Sequence, residues 1–322
     1  MDAKITKERL GRLLSYDWIK IVALMLGIIL FWSLLFSTTA TRITTAQEFS
    51  VWNHYANGTF SSKFSDFYGN SIKNKVYSHE VLEVVTNDLV AAGDTYMDVL
   101  QGNLSIQQAD VMFVPNIGDE NYKTTAEDSS VSYTYSYIES FMVNYGHTIY
   151  ELNAYFAECE SFLKGYYSDY TNAETLNTEK VEADFRARIK ANKDKRYKKE
   201  EQIIAGVKGD LERVEKYRAA YLRFQEYLQA GVVSFTHVTV KNPETDEVWL
   251  EGNYAINLCT DESKTGELKK YAYYRVRGEN DVLVPTAKDM NAMIFNFTNG
   301  KDGYQFESLL FLDKLLSVCL TK

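Results

Sequence analysis

The side chains able to do chemistry are thinly spread. The four histidines are His54, His79, His147 and His237. None sits in a His-x-x-x-His or Glu-His spacing that would bring two ligands to one zinc ion. No Gly-x-Ser-x-Gly elbow is present to expose a serine nucleophile. Gly206-Val-Lys-Gly209 falls within a helical pattern and lacks the loop of glycines that cradles a phosphate. The acid pairs Asp119–Glu120 and Asp261–Glu262 fall in loops, where solvation explains them, and no EF-hand spacing accompanies them. Asn57-Gly-Thr, Asn103-Leu-Ser and Asn296-Phe-Thr match the acceptor pattern for N-glycosylation at the frequency chance gives. The 24 tyrosines could stack on a sugar or a peptide in a cleft, or fill a core. The expectation is a chain that is no enzyme, with no metal and no cofactor.

What remains is position. In open α/β sheets ligands gather beyond the carboxyl ends of the strands. That rule selects His54, Tyr55 and Asn57 after a first strand, Asn87 and Asp88 after a second, and Asn116 after a third. Asp261, after a later strand, completes the set. For each histidine and acid here the plainer alternative is a structural or solvated residue.

The elements that would place them follow from periodicity. Glu48–Tyr55 alternates as a strand and Asn57-Gly58 turns the chain. Phe60–Asn74 reads as helical or irregular, Glu80–Thr86 as a valine-rich strand, Asp94–Gln108 as a helix. The apolar run Ala109–Val114, closed by Pro115, has the pattern of a buried parallel strand, so the three make a βαβ unit. Gly118–Ser130 reads as an acidic loop. Val131–Tyr145 fits both strand and helix. Thr148 and Glu151 suggest a capping box before a helix ending near Gly165. Residues 179–229 read as a helical hairpin with its tip near Asn192–Lys199, on the apolar seam Val207, Leu211, Val214, Tyr221, Phe224, Leu228. Strands follow at Val232–Val240, Val248–Leu258, Leu268–Val276 and Val282–Val284. Pro285-Thr286 with Asp289 is expected to open a helix through Met290, Met293, Ile294 and Phe297. Phe306–Leu316 is the last amphipathic helix. The class is α/β.

Ahead of all this stands Ile21–Phe36, IVALMLGIILFWSLLF, without charge or proline. Counted from Trp18 to Ser37 it has the roughly 20 residues that cross about 30 Å of hydrocarbon. Lys4, Lys7, Arg9, Arg12 and Lys20 precede or edge it and only Arg42 follows closely, which predicts a cytoplasmic N-terminus and an outside bulk. A cleaved signal peptide is the competing reading. The expected domains are a tail at 1–17, a transmembrane helix at 18–37 and an ectodomain at 38–322. Net charge is −9, and 179–230 is a basic island, with 14 bases against 10 acids, in an otherwise acidic ectodomain. Its bland reading is a solvated helix face; the sharper one is a contact with anionic headgroups or wall polymer. An outside location speaks against nucleic acid as a partner. Cys159, Cys259 and Cys319 are too few for a disulfide-built fold, and a Cys259–Cys319 bridge stays open.

Three passages together resemble a family. VLEVVTNDLVAAGDTYMDVLQGNLSIQQADVMFVPN (Val81–Asn116) is similar to the early strand–helix–strand of type 2 extracellular solute-binding proteins. YAINLCTDESKTGELKKYAYYRV (Tyr254–Val276) resembles the segment that returns to their first lobe. MNAMIFNF and YQFESLLFLDKLL, within Met290–Leu316, are similar to their closing helices. The likeness covers about half of the ectodomain. It implies a two-lobed periplasmic-binding-protein-like ectodomain around a cleft, a small solute held without covalent chemistry, and an ABC transporter permease or another membrane protein as partner. The 179–229 hairpin has no counterpart and would be an insertion. Reading the same ectodomain as a scaffold that binds a protein partner and no small ligand is the alternative.

Overall fold

The computed structural model describes residues 6–39, 47–54, 58–73, 76–77, 81–125, 132–242, 245–277, 282–297 and 303–320. The chain divides into two units, Met1–Ile43 and Thr44–Lys322. The described residues of the first carry one helix, α1 (Lys7–Thr39). Its Trp18–Ser37 stretch has a mean hydropathy of 2.5, and none of its residues is buried. This is an N-terminal helix long and apolar enough to span a membrane.

The second unit is built on a six-stranded sheet. Its strands are β1 (Glu48–Asn53), β3 (Glu83–Asp88), β4 (Val111–Pro115), β7 (Ser234–Lys241), β8 (Val248–Asn257) and β11 (Met290–Ile294). They lie in the order β3-β1-β4-β11-β8-β7. β3, β1 and β4 are parallel. β11 runs antiparallel to both β4 and β8, so β8 points the same way as β4. β7 completes an antiparallel hairpin with β8. Two smaller sheets accompany it. β10 (Leu283–Thr286), β9 (Ala272–Arg277) and β2 (Gly58–Phe60) form one; β5 (Gly118–Thr125) and β6 (Ser132–Ser136) form the other.

Both faces of the large sheet are covered, which is why its middle strands are apolar without alternation. From β1, Phe49 and Val51 enter one core and Trp52 the other; from β4, Val111 and Phe113 oppose Met112 and Val114. The larger core is closed by α2 (Ser62–Lys73), α5 (Leu152–Tyr166), α7 (Glu200–Gln229) and α9 (Gln305–Cys319). Phe311 of α9 is its hub, with Phe49, Phe64, Phe67 and Phe113 at ring-centroid distances of 5.2–6.2 Å. The smaller core is closed by α3 (Tyr96–Ser105) and α4 (Tyr137–Tyr145).

Several sequence readings change. Residues 290–294 are a central strand, not a helix: buried on both faces, Met290, Met293 and Ile294 show no alternation, and their spacing imitates a helical stripe. The acidic loop begins as strand β5, and the ambiguous stretch after it is both things in turn, β6 and then α4. Ser136 and Glu139 form the capping box of α4. Thr148 and Glu151 form none. Glu151 alone caps α5, accepting from the Ala154 N–H at 2.9 Å, while the Thr148 hydroxyl donates to the Tyr145 carbonyl. Leu268 lies in a short 3-10 turn, Gly266–Lys270, ahead of β9. All three cysteines are buried free thiols, so no bridge joins Cys259 to Cys319.

The helical stretch after residue 178 divides into α6 (Thr178–Ala191) and α7. Arg188 bonds Asp210 at 2.7 Å, joining the two. At Gly206 an added Cβ would lie 2.3 Å from the Phe185 ring, so only glycine permits this approach. The stretch is not a separable arm. Val214, Tyr217 and Phe224 are core residues, and Arg223 grips Asp313 of α9 through two hydrogen bonds.

Candidate functional site

Because β3, β1, β4 and β8 run in one direction, their carboxyl ends share one edge of the sheet. The chain reverses its order there: β1 lies between β3 and β4, and the crevice between the ends of β1 and β4 is the switch point at which open sheets hold ligands. Of the positions selected from sequence, His54, Asn87, Asp88, Asn116 and Asp261 fall on this edge; Tyr55 and Asn57 lie outside the described residues.

His54 stands at the switch point, its backbone N–H donating to the Phe113 carbonyl at 2.9 Å. Its ring is fully buried, edge-on to Tyr137 at 5.6 Å and to Phe141 at 6.0 Å. Burial lowers its pKa to about 3, so the imidazole stays neutral.

Asn87 and Asp88 are the last residues of β3, not the first beyond it. Asp88 Oδ1 accepts from the N–H of Val90 at 3.0 Å and from Asn53 Nδ2 at 3.3 Å, fastening the turn after β3 to the end of β1. Asn53 is itself buried, and a Cβ on Gly58 would fall 2.2 Å from its amide oxygen. Asn116 is exposed, and its N–H donates to the Asp289 carbonyl at 2.9 Å. Asp261 is exposed and caps a single turn, α8 (Glu262–Thr265), accepting from the Ser263 N–H at 2.8 Å. The Ser263 side chain and backbone hold its carboxyl below the usual carboxylate range.

The edge carries further polar groups that the sequence did not single out. Asn257 ends β8 and donates to Asp289 Oδ1 at 3.0 Å. Asp289 is left-handed at φ 55°, a conformation that aspartate tolerates better than most residues. Asn291 is fully buried inside the sheet; its amide donates to the Asp289 carbonyl and its oxygen accepts from the Thr236 hydroxyl. The available signal was an Asn or Asp closing each apolar run, in EFSVWN, EVVTND and NYAIN. Asp289 and Asn291 were hidden by the helical reading of 290–294.

Two open clefts are lined by described residues elsewhere. One, of about 460 Å³, includes Glu158, Phe162, Tyr166, Lys180 and Asp184; the other, of about 470 Å³, includes Asp66, Phe67, Tyr271 and Lys314. Among the described residues no group of three or more His, Cys, Asp or Glu side chains is arranged to hold a metal ion. Comparison with known families, curated proteins and solved structures finds no family model, no curated protein and no solved structure that matches the chain.

Proposed function

We propose that the chain is a membrane-anchored, non-enzymatic binding protein of the solute-binding kind, with α1 as an uncleaved anchor and the second unit outside the membrane. A small solute would meet the carboxyl edge at the β1/β4 crevice. The observation that carries this reading is the strand order β3-β1-β4 with β8 pointing the same way, which gathers Asn53, Asp88, Asn116, Asn257 and Asp261 onto one rim. Amides and carboxylates there suit a neutral, hydroxyl- or amide-bearing solute. A role as the accessory of an ABC transporter permease, and the two-lobed solute-binding likeness, belong to the same proposal. The test is thermal unfolding of the full chain in lipid nanodiscs against a panel of sugars, amino acids and short peptides. At least one compound should raise the melting temperature, and Asn116→Ala should weaken that response. A panel without any response sinks the reading.

A second reading has its own observation. Asn53 with Asp88, Asn257 with Asp289 and Asn291 with Thr236 already satisfy one another. Beside them the β9–β10 ribbon exposes Val276, Val282, Leu283 and Val284. A protein partner covering that ribbon, with no small ligand, fits both facts. Site-specific photocrosslinking from Leu283 in membranes should then yield one stoichiometric protein adduct; diffuse or absent adducts count against it.

A further inference from the structure

Residues 186–201, spanning the end of α6, the turn and the start of α7, carry eight bases against three acids in a chain of net charge −9. The two kinds of base are used differently. The arginines hold the hairpin together: Arg186 pairs with Glu182 and Glu200, Arg188 with Asp210, and Arg196 with Asp194. Lys190, Lys193, Lys195, Lys198 and Lys199 are all exposed, and among the described residues no carboxylate pairs with any of them. Asp194 and Glu200 are taken up by arginines, so of the three acids only Glu201 is left to offset five ammonium groups.

The turn that carries the lysines is fixed in shape. Lys193 is left-handed at φ 49°, and the Asp194 N–H donates to the Ile189 carbonyl at 3.0 Å. Gln202 Oε1 accepts from the Lys198 and Lys199 N–H groups, each at 3.0 Å, and the Tyr197 ring stands edge-on to Phe185 at 5.0 Å. Five like charges are thereby kept close despite their repulsion, which an opposing negative surface would relieve. Neither of the two clefts includes any of the five, so they form an open patch and not a small-molecule pocket.

We propose that the α6–α7 turn seats on an anionic lipid surface, its five lysines meeting phosphate headgroups. A lysine ammonium is a mobile point charge that needs no fixed partner geometry, which suits a fluid headgroup layer. The same chain carries a helix long and apolar enough to span a membrane, and only the eight residues 40–47 join that helix to β1. A short tether makes a weak surface contact effectively intramolecular. The proposal rests on the anchor reading of α1 for this nearness alone, and it is independent of whether the carboxyl edge binds a solute.

The experiment uses the full chain in lipid nanodiscs, with a fluorophore on Ala191→Cys at the turn, since the three native thiols are buried. Energy transfer to acceptor-bearing headgroups reports how near the turn lies to the bilayer. Discs containing phosphatidylglycerol should give more transfer than discs of phosphatidylcholine alone, and the excess should vanish at about 1 M salt, where screening shortens to about 3 Å. Each lysine at an anionic surface favours the seated state by about fivefold. Lys190→Gln, Lys193→Gln, Lys195→Gln, Lys198→Gln and Lys199→Gln together should therefore abolish the excess, whereas arginine at the same five positions should keep it, with unchanged melting temperatures in both variants. Equal transfer in the two lipids, or an excess that survives in the glutamine variant, overturns the proposal. So does a response to soluble polyphosphate without one to phosphatidylglycerol, which would assign the patch to a free polyanion. A chain that does not enter the discs refutes the anchor instead. Flotation with phosphatidylglycerol vesicles then decides for the turn if the glutamine variant abolishes it, and against the turn if it does not or if no flotation occurs.

Discussion

His54 shows how one buried side chain can set an acid limit. Its imidazole is sealed under α4 and its pKa is lowered from 6.5 to about 3. The folded state therefore binds this proton less readily than the unfolded chain. Its contribution is complete above 6.5 and declines as pH falls below that value, by up to about 1.4 kcal/mol for each unit. Acid denaturation of the full chain followed by circular dichroism should show this loss, and His54→Gln should melt over a lower pH range than the wild type if it folds. An unchanged acid limb would remove His54 from the account. Gly58 offers a test at the rim. Gly58→Ala drives a methyl into the Asn53 amide, and the expected outcome is a destabilisation of about 1–3 kcal/mol from the displaced buried amide, measured by chemical denaturation.

At the scale of elements, α9 holds the larger core together through Phe311. Phe311→Ala should cost about 3–5 kcal/mol, as deletion of a fully buried ring does, and the measurement is the denaturation midpoint. Gly206 is the matching point between α6 and α7. Gly206→Ala should destabilise the pair although alanine favours helices, because the added methyl meets Phe185 and Tyr197. These elements also show where sequence is informative. α5 and α7 were legible because each buries one stripe and solvates the other, so their period survives. The βαβ unit from β3 to β4 was legible because Pro115 and the turn residues bound its short strands. β11 was not: a strand buried on both faces has no period of its own, and its identity depends on β4 and β8, which are far away in the chain. The rim was half legible for the same reason. Asn116 and Asp261 follow strands that could be read, whereas Asp289 immediately precedes, and Asn291 lies within, the one that could not. Glu307 reads as one acid on an amphipathic helix; only the fold shows it buried and accepting from the Tyr217 hydroxyl of α7.

For the whole molecule, α1 and the unit beyond it pose a question of sidedness. The basic residues before Trp18 outnumber those just after Ser37, which favours an inside N-terminus. Protease added to intact cells should then digest the chain down to a small α1-bearing fragment, and a protected full-length chain would reverse the assignment. Exchange of Ile21–Phe36 for an unrelated spanning helix separates tether from interface: retained partner or solute binding marks α1 as a tether, and loss with normal insertion marks it as part of a contact.

The place of β11 in the sheet bears on how the protein is made. It is the last of the described strands and sits between β4 and β8, in the middle of the sheet. Until residues 290–294 emerge from the ribosome, β3-β1-β4 and β8-β7 have no common seam, and each offers an unpaired inner edge. Such edges recruit other strands, and long-range pairing of this kind is slow. Nascent chains stopped before Met290 should thus be protease-sensitive and prone to aggregate, while chains carried a few tens of residues further should become resistant in one step. The large sheet is then completed only once residues 290–294 have been made.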